Sequence, residues 1–333
     1  MTGSARPGAA RLLGPLGAGP PRVMIIGASG FLGRHVRDRA TAAGMDVITA
    51  GRSPLPGSRA HCLLDLTADE PAGLAATLAA QAPDVVVNCA GATGGDIAEL
   101  AAANMTGTAS LVRALRRTGR VIRLVHLGSA AEYGPSVPGT AVAESAPARP
   151  AGAYGVTKLA ATRLIELGRA TGLDAVVLRV FNPVGPGAPA TILPGRLVSE
   201  LRQAAADGRD VRLGPLGAVR DFVDARDVAD AAVAAVLAPS LPAAVINIGS
   251  GTGVPVRTLV RELVAISGYD GPVIEEAEVS GAGRTGRDTA APGLSWQQAD
   301  IARARRDLDW QPRRALATSL ADLWEECLVP APG

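Results

Sequence analysis

"RVMIIGASGFLG", Arg22 to Gly33, is the stretch on which the fold turns. Val23 to Ile26 form an unbroken apolar run of strand length, and it leads into Gly27, Gly30 and Gly33 at three-residue spacing. A continuously apolar strand is buried on both faces, the habit of parallel sheets covered by helices. Glycines after such a strand let the backbone turn tightly and approach a pyrophosphate. The helix opening there aims its free N–H groups and positive dipole end at the phosphates. "FLGRHVRDRATAAG" reads as that helix. The spacing is G-x-x-G-x-x-G and departs from the G-x-G-x-x-G fingerprint, and a tight turn in a Gly-rich chain is the plain alternative. Position favours phosphate binding, because the motif follows the first strand and opens the first helix. The cradle comprises Gly27, Ser29, Gly30, Phe31, Leu32 and Gly33.

The same alternation continues outward. Strand patterns at "DVITAGR", "AHCLLDL", "DVVVNCAG", "VIRLVHLGS" and "DAVVLRVFN" are separated by helical patterns at "PAGLAATLAAQA", "IAELAAANMTGTASLVRALRRTG" and "AYGVTKLAATRLIELGRATG". This predicts a Rossmann-type doubly wound α/β parallel sheet over residues 22–182. Beyond Asn182 the pattern is more broken. Strands are expected at "AVINIGSG" and "PVIEEAEV", and helices at "RTLVRELVAISG" and "SLADLWEECL". Residues 183–330 are assigned mainly to a smaller C-terminal α/β substrate domain, with a return segment to the first sheet near 220–248. The first 21 residues, rich in Gly, Pro, Ala and Arg, read as a disordered tail.

The 333 residues are 47% hydrophobic but only 3% aromatic, so the core is aliphatic. Net charge is +2 with the signs interspersed, which offers no surface for nucleic acid or an anionic membrane. Cys62, Cys89 and Cys327 follow no metal or disulfide spacing, so no metal is expected and a reducing, cytoplasmic location is. No apolar run reaches membrane-spanning length.

An NAD site usually carries an acid at the end of the second strand to hold the ribose hydroxyls. Here that strand ends "ITAGRSP", with Arg52 at its tip, and Arg34 follows the third glycine. Guanidinium groups there suit a 2′-phosphate, so NADP(H) is preferred and NAD(H) remains possible. Two solvated arginines in an arginine-rich chain are the competing reading.

Lys158 is the only lysine among 33 basic residues, and it lies four residues after Tyr154, one of three tyrosines. At i and i+4 on a helix the two share a face. An ammonium nearby lowers a phenol pKa from about 10. Tyr154 can then exchange protons with a substrate oxygen, while Lys158 bonds cofactor ribose hydroxyls with a compact ammonium that arginine lacks. Ser129 ends the preceding strand, where a parallel sheet opens to its ligand crevice, and its hydroxyl can polarise the reacting oxygen. A strand-end turn residue is the ordinary alternative for Ser129. His126 reads as a packed core residue.

Together these residues resemble the extended branch of the short-chain dehydrogenase/reductase family. "GASGFLG" is similar to its glycine motif, "YGVTK" to its Tyr-x-x-x-Lys, "GSAAEYG" to its Ser/Thr strand end and "NCAG", with Ala90, to its fourth-strand motif. Asn104 resembles the family's structural asparagine. Asp65 and Leu66 resemble its adenine contacts, a strand-end turn being the alternative for Asp65. The resemblance implies that Asn182 and Arg220 contact a nucleotide-sugar diphosphate, with Thr93 and Arg284 (or Arg287) near the sugar nucleotide. It implies a homodimer packed through the Asn104 and Tyr154 helices.

The family's implied chemistries are epimerisation, dehydration, decarboxylation and ketoreduction of nucleotide-diphosphate sugars. Dehydratases and decarboxylases of the branch place an acid just after the Ser/Thr, whereas here Ala130 and Ala131 follow Ser129. Glu132 comes one position late and points elsewhere on a strand-like backbone. The absent ribose acid and Arg52 favour an NAD(P)H-dependent 4-ketoreductase acting on a 4-keto-6-deoxy sugar linked to dTDP, GDP or UDP. An NAD-dependent 4-epimerase is the alternative, and a non-catalytic dinucleotide sensor is a third reading.

Overall fold

The computed structural model describes residues 19–58, 60–276 and 295–327. Strands β1 (Arg22–Ile26), β2 (Asp46–Gly51), β3 (His61–Leu63), β4 (Val85–Asn88), β5 (Arg123–Ser129) and β6 (Ala175–Val180) follow one another with helices between them. These are α1 (Phe31–Ala42), α2 (Pro71–Gln81), α3 (Ile97–Leu100), α4 (Gly107–Arg117) and α5 (Ala153–Ala170). Then come β7 (Pro183–Val184), α6 (Leu193–Asp207), β8 (Val211–Leu213), β9 (Val219–Asp221), β10 (Val223–Asp224) and α7 (Ala225–Leu237). The chain continues through β11 (Val245–Ile248), β12 (Gly253–Pro255), α8 (Val256–Ser267), β13 (Val273–Glu275), α9 (Ala302–Leu308) and α10 (Leu316–Glu326).

Seven strands form one parallel sheet in the order β11-β6-β5-β4-β1-β2-β3. Alternate residues serve opposite faces. Val23 and Ile25 join Val228, Ala232 and Trp310 in one core, while Met24 and Ile26 join Leu74, Leu111 and Ile165 in the other. From β1 the chain winds to β2 and β3 on one side and to β4, β5 and β6 on the other. The crevice at the carboxyl ends of β1 and β4 is therefore the switch point at which such sheets take ligands.

The chain returns to this sheet late: β11 pairs with β6, and α7 packs on α1. A third core gathers Leu197, Leu201, Phe222, Leu259, Leu263, Leu320 and Leu323, from α6, α8, α10 and the short strands around them. Helices α6 and α7 are not visible in the sequence pattern. Helix α7, with Ala and Val buried on most sides, has too little polar contrast to show a period.

Two elements differ from expectation. β3 stops at Leu63, because the Asp65 carboxylate accepts the Thr67 N–H and hydroxyl at 2.8 and 2.7 Å and bends the chain. The single helix expected over 97–119 is α-helical only at its ends, and Ala101–Thr106 between α3 and α4 is a π-helical turn. Such turns reposition side chains and frequently mark functional sites.

Candidate active site

Gly27 follows β1 with φ +78°, a conformation that side chains disfavour. A Cβ there would meet the Ala90 nitrogen at 2.8 Å, and one on Gly33 would sit 2.0 Å from the Gly27 oxygen. These glycines let the ends of β1 and β4 and the head of α1 converge. No side chain caps α1 and its first turn holds no acid, so its N–H groups face the crevice without a competing anion. The cradle fits a dinucleotide pyrophosphate, and Gly27, Ser29, Gly30, Phe31, Leu32 and Gly33 are the residues placed where they could hold it.

The Lys158 ammonium reaches the same place. It is buried, donates to the Leu127 carbonyl at 2.6 Å and lies 4.0 Å from where a Cβ on Gly91 would stand. Two more ammonium donors remain for other partners. Burial pushes the neighbouring Cys89 thiol up to about 12, although Lys158 pulls it the other way. His126 is held well below 6.5, first by burial and then by the Lys158 charge. Asn88 donates to His126 Nδ1 at 3.1 Å, so the neutral ring carries its proton on Nε2, which is buried without a partner.

Tyr154 and Ser129 are buried at 9% and 6% exposure, on the first turn of α5 and at the end of β5. What brings those elements together is Gly155, whose Cβ would stand 2.4 Å from the Ala131 oxygen. The absent side chain seats α5 on the 3-10 turn Ala130–Glu132 that follows Ser129. Ser129 Oγ accepts the Ala131 N–H at 3.2 Å.

Asn104 occupies the π-helical turn. Its amide accepts from Ala92 N and donates to Ala92 O, both at 3.0 Å, and donates to Thr157 Oγ1 at 3.1 Å. It thereby ties the loop after β4 to the residue beside Lys158. Leu66 is buried, Ala90 lines the glycine turn, and Asp65 is held below its usual range by the two Thr67 hydrogen bonds.

The two candidate phosphate arginines go to different neighbours. Arg52 is exposed, and its charge is felt at Asp65. Arg34 instead pairs with Glu326 of α10 at 3.0 Å and lies over Gly187, where φ is +69°. Thr93 is exposed on the loop after β4. Asn182 donates to the Asp221 carbonyl at 2.9 Å, and Arg220 donates to the Val219 and Ser295 carbonyls and to Ser295 Oγ. Arg284 and Arg287 lie outside the described residues. Among the described residues no group of three or more His, Cys, Asp or Glu could hold a metal ion, and no helix is long and apolar enough to cross a membrane.

Sequence reasoning missed Asp221 and the setting of Glu132. Asp221 is fully buried and accepts from Ser250, Gly251 and Ala299, organising the turn after β11 next to Arg220; burial, the largest influence, pushes its carboxyl above the usual range. Glu132 lies on a 3-10 turn, not a strand-like backbone. Its carboxylate folds back beneath Ser129 onto Arg179, away from the crevice.

A glycine-turned crevice with a buried Tyr, Lys and Ser suits a dinucleotide-dependent oxidoreductase. The model of the NAD dependent epimerase/dehydratase family matches residues 23–249, and the chain belongs to that family, in the extended short-chain dehydrogenase/reductase group. The chain is 38% identical over 316 residues to dTDP-6-deoxy-L-talose 4-dehydrogenase (NAD(P)(+)) of Kitasatospora kifunensis, covering 92% of this chain and 95% of that protein. It is 34% identical over 236 residues to a UDP-glucose 4-epimerase of Streptomyces lividans, covering 67% of each. Among solved structures, MoeE5 in complex with UDP-glucose and NAD superposes with a TM-score of 0.78 at 28% identity, covering 92% of this chain and 98% of that one.

Proposed function

We propose that the protein reduces the C4 carbonyl of a dTDP-linked 4-keto-6-deoxy hexose with NADPH. The observation that carries this reading is the near full-length similarity to a dTDP-6-deoxy-L-talose 4-dehydrogenase, whose named reaction is ketoreduction read backwards. Bound nicotinamide supplies the hydride. Tyr154 gives its phenolic proton to the carbonyl oxygen as that oxygen becomes an alkoxide, and Ser129 donates a hydrogen bond to the same atom. Lys158, braced on Leu127, stabilises the phenolate left behind and holds the ribose. Arg52, with no acid at the end of β2, serves the 2′-phosphate. Asn182 and Arg220 face the diphosphate.

A 4-epimerase is the second reading, favoured by the Streptomyces lividans relative. We place the reaction in the cytoplasm, in keeping with the three free thiols. We also propose a homodimer, because Ile97, Met105, Val156 and Leu167 are large apolar side chains left exposed on α3, the π-helical turn and α5.

Purified protein is mixed with NADPH and dTDP-4-keto-6-deoxy sugars, and nicotinamide absorbance is followed. Oxidation is expected, and Tyr154→Phe lowers its rate by about 10²–10⁴-fold. No oxidation with any such sugar, alongside interconversion of UDP-glucose and UDP-galactose, would establish the epimerase instead. A Tyr154→Phe protein as active as the parent would remove the catalytic assignment.

A further inference from the structure

The carboxylate of Glu132 has no exposed surface and sits directly beneath Ser129. One oxygen, Oε1, accepts the Ser129 N–H at 2.8 Å. The other, Oε2, accepts Arg179 Nε at 3.0 Å, Arg179 Nη2 at 2.8 Å and the Thr162 hydroxyl at 2.8 Å. These four bonds bring three elements to one carboxylate: the end of β5, the neighbouring strand β6 and helix α5.

The helix residue is the telling one. Thr162 follows Tyr154 and Lys158 at further i+4 steps, so all three lie along one face of α5. Lys158 already fastens that face to the Leu127 carbonyl. The Glu132–Thr162 bond fastens it a second time, through the carboxylate that also holds the Ser129 amide. Room for the carboxylate comes from Gly128, where a Cβ would stand 2.7 Å from Glu132 Oε1. The Arg179 guanidinium is capped in turn by the Tyr133 ring, 4.3 Å away, and Tyr133 donates to Asn247 of β11 at 2.7 Å.

A buried ion pair is weak evidence for stability, since well-packed apolar residues often do as well. A carboxylate with fixed acceptor directions does what an apolar residue cannot: it sets where a backbone amide and a helix hydroxyl stand relative to each other. We propose that Glu132, held by Arg179 and Thr162, is a positioning residue that fixes Ser129 relative to Tyr154. The proposal rests on the ketoreductase reading only for its kinetic assay.

Thr162→Val removes one bond from the carboxylate and leaves the ion pair in place. In steady-state assays kcat falls about tenfold while the KM for sugar and for NADPH stay within about twofold, because misplacement of a catalytic group weakens the transition state and leaves ground-state binding alone. Thr162→Ser restores the rate. In a Ser129→Ala background, Thr162→Val has no further effect, because the two changes act through one hydroxyl. An unchanged kcat in Thr162→Val, or an equal fall in both backgrounds, overturns the proposal. Hydrogen–deuterium exchange over residues 127–133 supplies a readout that needs no substrate. The Ser129 amide exchanges faster in Thr162→Val than in the parent, and equal exchange overturns the proposal even if the ketosugar is not the substrate.

Discussion

At the scale of single residues, the site depends on charge set among neutral neighbours. Cys89 and His126 flank Lys158, and burial keeps both uncharged. For His126 the lowered pKa has a consequence for stability. Below the ordinary value of 6.5 the unfolded chain takes up a proton that the folded site refuses, so stability present above that pH is lost on acidification. Melting measured from pH 7 to 5 falls with a slope of up to about 1.4 kcal/mol per pH unit for this group. His126→Gln flattens the slope, and His35, which burial also lowers, contributes to what remains. An unchanged slope would show that His126 takes up its proton equally readily in the folded and unfolded chain. The placing of Tyr154 and Lys158 on one helix and of Ser129 at a strand end was legible in the sequence, because helix period and strand length are set locally. Glu132 was not, because its partner Arg179 is 47 residues away and nothing in the intervening chain announces the pair.

At the scale of elements, the glycine turn and the strand–helix alternation follow from local periodicity, which is why β1, α1 and the parallel, doubly wound sheet could be read directly, although the order of its strands could not. The π-helical turn could not, since one extra residue per turn leaves no mark on an Ala-rich pattern. Its effect is to bury Asn104 at 2% exposure, where it holds both backbone groups of Ala92. The glycine turn gives the sharper test. Gly33→Ala places a methyl 2.0 Å from the Gly27 oxygen, so α1 must shift away from β1. Overpacking of this kind costs roughly 1–3 kcal/mol of stability. Titration of the folded variant with NADPH, followed by nicotinamide fluorescence, is expected to show affinity at least about tenfold weaker, the equivalent of about 1.4 kcal/mol. Parent-like affinity would mean that the turn does not carry the pyrophosphate.

At the scale of the whole molecule, α10 joins the two ends of the chain. Ser319 donates to Asp224 at 2.6 Å, Asp322 pairs with Arg226 at 2.6 Å and Glu326 pairs with Arg34 at 3.0 Å. The first joins residues 95 positions apart and the last residues 292 apart, so no local pattern could reveal them. The exposed side chains of Ile97, Met105, Val156 and Leu167 bear on assembly. A stable interface there would cover about 800 Å² per partner. Sedimentation velocity is expected to show a dimer that Met105→Glu combined with Val156→Arg converts to monomer; a monomeric parent would refute the assembly. The late return of β11 carries a practical corollary for anyone dissecting this enzyme. Cutting the gene after Asn182, where the composition changes, strips β6 of its neighbour and leaves a row of bare amides and carbonyls beside Val176, Leu178 and Val180. Such a fragment would stick to itself in the test tube, whereas an expressible nucleotide-binding half must carry α7 and β11 with it.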